Sequence, residues 1–251
     1  MTARVDLTLF AHLCARPEAE LDLAEAALLI AAPEYPGLDV ARYVARLDEL
    51  GRGARAAIAA ARPVGNATVE EARLDGAVRF VYEDTGFHGN GDDYYDPRNS
   101  FLNDVLDRRT GIPITLALVL TEVCRRAGIE VRGVSFPGHF LVRCDTPRGA
   151  LLVDPFAGRP LSRDEVRAIY TRVTGEDREP PARVFEPATK VQILVRMLNN
   201  LRSIYEQQGD AARLCAVLER IQVLAPEAAL RAQIERLGGS APWRSGGAGI
   251  N

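Results

Sequence analysis

His139, in "SFPGHFLVRC", and Asp154, in "LLVDPF", are the residues whose types and spacing best suit chemistry. Both fall on short runs of β-type residues. In the first run His139, Leu141 and Arg143 would face one way, and Phe140, Val142 and Cys144 the other. Neighbouring antiparallel strands lie ~4.8 Å apart, so a carboxylate on the second run can reach the imidazole of the first and fix its orientation. Pro137 and Gly138, just before the histidine, allow a sharp turn or a close approach to the backbone. The same residues also fit a purely structural arrangement, with His139 packed under that turn and Asp154 capping the "DPF" turn.

Two other groups could hold a ligand. In "HGNGDDYYDPRN" the aspartates Asp92, Asp93 and Asp96 lie near His88, as a cation site would need. The segment lacks the residue order of a calcium loop, and Asx turns with Pro97 account for it more simply. The pair Arg108–Arg109 precedes a helix N-terminus and could take a carboxylate or phosphate, although a solvated pair is the commoner case.

The elements that must position these residues belong to an ordinary globular chain. Of its 251 residues 47% are hydrophobic and 26% charged, which is enough for one large domain or two small ones. A net charge of −3 gives no reason to expect a nucleic-acid partner. The apolar run Ala26–Ala32 is too short to cross a bilayer and follows no basic segment, so neither a membrane span nor a signal peptide is expected. Cys14, Cys124, Cys144 and Cys215 show no paired spacing, which argues against a zinc ribbon and a disulfide framework. A cytoplasmic protein without a cofactor is the expectation.

Residues 5–61 read as helical, broken by "PEYPG". Thr68, with acids behind it, caps a helix that stops near Gly86. A polar, turn-rich segment follows as far as "RRTG". "IPITLALVLTEVCRRAGI" is an apolar helix with Pro113 in its first turn, Arg125 and Arg126 in its last and Gly128 as its stop. "EVRGVSF", "HFLVRC" and "ALLVDPF" form an antiparallel meander. Helices return over 187–207 and 210–224, with a short one after Pro226, and "GGSAPWRSGGAGIN" reads as a tail.

"NSFLNDVLDRRTGIPITLALVLTEVCRRAGIEVRGVSFPGHFLVR", with "LLVDPFAG" and the upstream "GFHGNGDDYYDPRNS", closely resembles the SirB-type branch of the transglutaminase-like superfamily. It also resembles the middle domain of a eukaryotic F-box protein. The likeness spans roughly residues 20–225. It implies an α+β papain/transglutaminase-like core over 66–180, a helix packed on a small antiparallel sheet. A helical region over 1–65 would pack on that core, tetratricopeptide-like helices would occupy 187–237, and a flexible tail 238–251. His139 and Asp154 carry over as the superfamily's His and Asp, with Asn99, Gly111, Gly138 and Asp96 lining the cleft.

The nucleophile does not carry over. Active relatives place a cysteine two residues after a glycine at the helix N-terminus, where the dipole favours thiolate; here Gly111 is followed by Ile112 and then Pro113. Cys144 lies ~17 Å along the strand from His139, and Cys124 ~13 Å down the helix from Thr115. Thr115 is the one hydroxyl in that first turn, and as a β-branched alcohol it needs strong base assistance; Ser100 and Ser135 have no assigned place. Three classes follow: a non-catalytic domain that binds a protein partner, which the residues favour; a hydrolase or acyltransferase with an unorthodox nucleophile or water activated by His139 and Asp154; and a metal-dependent enzyme using His88, His139, Asp154 and the acidic loop. Oligomeric state is not legible.

Overall fold

The computed structural model describes residues 2–239; the expected tail lies, from residue 240 on, outside the described residues. In chain order the helices are α1 (Thr2–Cys14), α2 (Leu23–Ala31), α3 (Val40–Ala60), α4 (Val69–Arg79), α5 (Leu102–Arg108), α6 (Pro113–Ala127), α7 (Arg163–Thr174), α8 (Lys190–Gln208), α9 (Ala211–Leu224) and α10 (Ala228–Arg236). The strands are β1 (His88–Gly89), β2 (Thr110–Gly111), β3 (Arg132–Val134), β4 (Leu141–Thr146), β5 (Gly149–Asp154) and β6 (Arg159–Leu161). They fall into two units, residues 39–189 and a helical unit of residues up to 38 with those from 190.

The 39–189 unit is α+β. Its sheet has the order β3-β4-β5-β6 with every neighbour antiparallel, Val142 opposite Val153 and Arg143 opposite Leu152. α6 is the central helix, packed on α3, α4 and β4, and every residue from Pro113 to Leu120 is buried. Its limits follow from local chemistry: Pro113 supplies the helical φ at the first position, and Gly128 ends the helix at φ 80°. α3, grouped by the sequence reading with the N-terminal helices, packs on α6 in this unit. On the side of the sheet carrying Val134 and Leu141, α7 supplies Val166 and Tyr170 to a buried cluster with Phe136.

One expectation changes, and one element gains detail. The turn-rich stretch after Gly86 holds real structure: the parallel pair β1–β2, a 3-10 turn at Pro97–Asn99, and α5, whose Leu102, Val105 and Leu106 are buried. α4 also runs into a π-helical turn at Phe80–Asp84 before stopping ahead of Gly86.

In the helical unit the apolar stripe of α8 (Leu194, Met197, Leu198, Leu201, Ile204) and that of α9 (Leu214, Val217, Leu218, Ile221) are buried. The two helices pack as a hairpin joined by Gly209 and Asp210, whose carboxylate caps α9. α2 packs on α8 and α1 on α9, so the N-terminal helices cover faces that the hairpin alone would leave exposed.

Candidate functional site

His139 stands in a turn, not in a strand. Its N–H donates to Phe136 O at 3.1 Å, with Pro137 second and Gly138 third in the turn at φ 64°. That is the arrangement of a type II turn, which needs glycine at its third position. A Cβ on Gly138 would also meet Val173 of α7 at 2.6 Å, so turn and helix fit only with glycine there. β4 begins two residues later, at Leu141.

The turn delivers His139 to Asp154, the last residue of β5. Nε2 lies 2.9 Å from Asp154 Oδ1, and the two side chains are 16% and 13% exposed. The same oxygen accepts the backbone N–H of Phe156 at 2.8 Å and of Ala157 at 3.1 Å. Asp154 therefore both caps its turn and orients the imidazole; the two readings of the sequence hold together. Burial pushes its carboxyl pKa up, but the His139 hydrogen bond and charge, with the two N–H donors, outweigh that and hold it below the ordinary value. With Nε2–H donating to the carboxylate, the neutral ring carries its lone pair on Nδ1. Such a pair can act as a general base.

The helix N-terminus tells a different story. Pro113 is buried at the first position of α6. Thr115 is fully buried, and its hydroxyl is committed: it donates to Asn99 O at 2.7 Å, lies 3.1 Å from Ile112 O, and accepts Ile112 N–H at 3.2 Å. A Cβ on Gly111 would come within 2.8 Å of that hydroxyl, which places Gly111 as packing for Thr115. Ser100 is also buried, its hydroxyl without a partner, while Ser135 is exposed. Burial raises the pKa of every native thiol, to about 12 for Cys124 and about 11 for Cys14, and upward for Cys144 and Cys215. None is an activated thiolate at neutral pH.

Asn99 and Asp96 hold the neighbouring loop. Asn99 is fully buried; its Nδ2 donates to Asp93 O at 2.7 Å and Tyr94 O at 3.3 Å, and its Oδ1 accepts from Asn90 Nδ2 at 3.1 Å. Asp96 pairs with Arg98 at 2.8 Å and Arg108 at 3.5 Å. Burial would raise its pKa, but the Arg98 hydrogen bonds and both guanidinium charges hold it low. Asp96 is thus a buried anchor of the loop, and Arg108 is committed to it. The loop reaches the site through Phe156, which packs on Gly89 and lies 6.0 Å, ring to ring, from Tyr94. Tyr94 and Tyr95 are 42% and 64% exposed, a pair of rings on the surface beside the Asp154 turn.

The acidic loop does not form a cation site. His88 bonds Gly86 O and Thr110 Oγ1, Asp96 is tied to two arginines, and among the described residues no three His, Cys, Asp or Glu side chains are grouped to hold a metal ion. Tyr82 also reaches the site, although nothing in the sequence marks it. The π-helical turn presses its ring against Gly158 of the Asp154 turn, with its hydroxyl buried and unpartnered. Burial, then the Asp154 charge, drives its pKa up. The irregular turn that aims it leaves no periodicity signal.

Residues 41–199 match the family described as the transglutaminase-like superfamily, and the chain belongs to that superfamily. It is 40% identical over 232 residues to a UPF0162 protein of Xylella fastidiosa (strain Temecula1), covering 90% of this chain and 80% of that one. A UPF0162 protein of Pseudomonas aeruginosa is 36% identical over 204 residues, 81% of this chain and 72% of its own length. F-box only protein 21 of Homo sapiens is 32% identical over 145 residues, 54% of this chain but 22% of that protein. No helix among the described residues is long and apolar enough to cross a membrane.

Proposed function

We propose that this chain is a SirB-type transglutaminase-like protein without a thiol nucleophile, which acts by binding a protein partner on the face beside His139 and Asp154. The observation that carries the reading is the buried first turn of α6: Pro113 stands where a nucleophile would, and the hydroxyl of that turn, on Thr115, is hydrogen-bonded into the core. The exposed Tyr94–Tyr95 pair next to Phe156 supports an interface role, because aromatic rings are the usual anchors of protein contacts. The α8–α9 hairpin resembles a single tetratricopeptide unit, a second surface of the kind that takes peptides. Cytoplasmic location, and the absence of a role for nucleic acid or membrane, belong to the same proposal.

A photo-crosslinking side chain at Tyr95 should capture one defined protein in cells. The same group at exposed Val64 should not, and a Tyr94→Ala change should abolish the capture. Equal capture from both positions overturns the reading.

The intact His139–Asp154 pair favours one alternative, base-activated water acting on an ester or amide. Hydrolysis by the purified protein that disappears in His139→Ala would establish it in place of the binding role.

A further inference from the structure

A cavity of about 250 Å³ opens between α3, the π-helical turn and the end of α5, lined by Arg46, Glu49, Leu50, Phe80, Thr85, Phe87 and Arg109. Its charges are unevenly matched. Arg46 is neutralised by Asp107, 2.5 Å away, which also accepts the Tyr43 hydroxyl at 2.7 Å. The exposed side chains of Glu49 and Arg109 have no ion-pair partner among the described residues, in each other or elsewhere. One uncompensated anion and one uncompensated cation thus share a small cavity that also presents Leu50, Phe80 and Phe87.

Arg109 is held there against its backbone preference. It ends α5 at φ 58°, the only non-glycine residue among those described with positive φ. Glycine is the usual occupant of such a helix-ending position. The local strain persists because the surroundings fix it: Arg109 N–H donates to Val105 O at 2.8 Å, and Arg109 O accepts His88 N–H at 2.9 Å. A strained residue that carries an unpaired guanidinium over a cavity points to a ligand that needs that group.

We propose that this cavity binds a small apolar α-amino acid, with its carboxylate on Arg109, its ammonium on Glu49 and its side chain against Leu50, Phe80 and Phe87. The guanidinium fork matches a carboxylate bidentately. A simple anion would satisfy Arg109 but sit beside the Glu49 charge, whereas a zwitterion answers both. The Thr85 hydroxyl, donating to Val81 O at 2.8 Å, keeps lone pairs for an ammonium proton. This site is separate from the His139 face and does not depend on its role.

The test is calorimetric titration of the full chain with L-phenylalanine and L-leucine, against 3-phenylpropionate and 2-phenylethylamine, each of which keeps one charge. Saturable binding of both amino acids is expected, with each comparator weaker by at least about tenfold, the loss expected for one charged hydrogen-bonded contact. Arg109→Gln and Glu49→Gln should each lose at least about tenfold, with unchanged circular dichroism melting. Arg109→Gly, which suits the backbone, should stay folded and lose the ligand. A comparator that binds as tightly as phenylalanine, binding that survives the substitutions, or no saturable heat up to about 10 mM overturns the proposal.

Discussion

Asp154 Oδ1 lies 2.9 Å from His139 Nε2 while accepting two backbone N–H groups from its own turn. One oxygen thus joins the end of β5, the turn after it and the turn before β4. The pair is part of the architecture of the fold as well as a potential base, and its persistence alone is no sign of catalysis.

Replacing Asp154 by Asn keeps an acceptor and removes the charge. Near pH 7 the variant should be less stable by ~1–3 kcal/mol, the worth of hydrogen bonds to a charged group. The folded-state pKa is depressed, so the unfolded chain binds this proton more tightly. The carboxylate's contribution is therefore complete above the unfolded value and is lost as pH falls through the folded one. Urea unfolding of both proteins should show the gap closing below about pH 4. A gap independent of pH would mean that the charge contributes nothing.

Asn99→Ala removes donors to two carbonyls and an acceptor for Asn90. With the side chain fully buried, the loss should be ~1–3 kcal/mol in chemical denaturation. The loop should also become accessible to protease near Tyr94 and Tyr95. A change within measurement error would show that water replaces these bonds without cost.

Thr115→Val is nearly isosteric but orphans the Ile112 N–H and strips a donor from Asn99 O. It should destabilise by ~1–3 kcal/mol, and Thr115→Ser should recover much of that. Full stability in the valine variant would reopen Thr115 as a chemical rather than structural hydroxyl.

Arg109→Gly should stabilise the protein by ~1 kcal/mol, since the left-handed conformation costs a side-chain residue about that much. Thermal unfolding reads it directly. A destabilised glycine variant would show that the arginine side chain packs well enough to offset its backbone strain.

What the sequence disclosed, and what it hid, follow one physical line. α6 was legible from end to end because Pro113 and Gly128 act locally, and the Thr68–Glu71 capping box marks α4 equally clearly. The His139–Asp154 pairing was legible from two strand-like runs, although His139 proves to sit in the turn. α5 looks like part of a loop in the sequence because its seven residues are polar on one side, and its helicity rests on burying Leu102, Val105 and Leu106. β6 is too short for a periodic pattern to mark it, whereas α7 is signalled by "SRDE", in which Ser162 and Glu165 form a capping box. The committed state of Thr115 and the burial of Pro113 depend on tertiary packing, which no spacing reveals.

That burial also sets how a thiol at position 113 would behave. A cysteine at the start of a helix is drawn toward thiolate by the dipole, and burial opposes it. Pro113 lies inside a fully buried first turn, so burial should win. Pro113→Cys is expected to give a thiol that iodoacetamide labels slowly near pH 6 in the native protein and rapidly once urea unfolds it. Adding His139→Ala should leave the native rate unchanged. Site-resolved mass spectrometry measures the rate against Cys14, Cys124, Cys144 and Cys215, whose pKa values burial already raises. Fast labelling at mildly acidic pH that vanishes with His139→Ala would mean that imidazole and helix terminus share an open cleft. The chain would then keep every part of a thiol site except the thiol, and the argument that its nucleophile position is closed would fail.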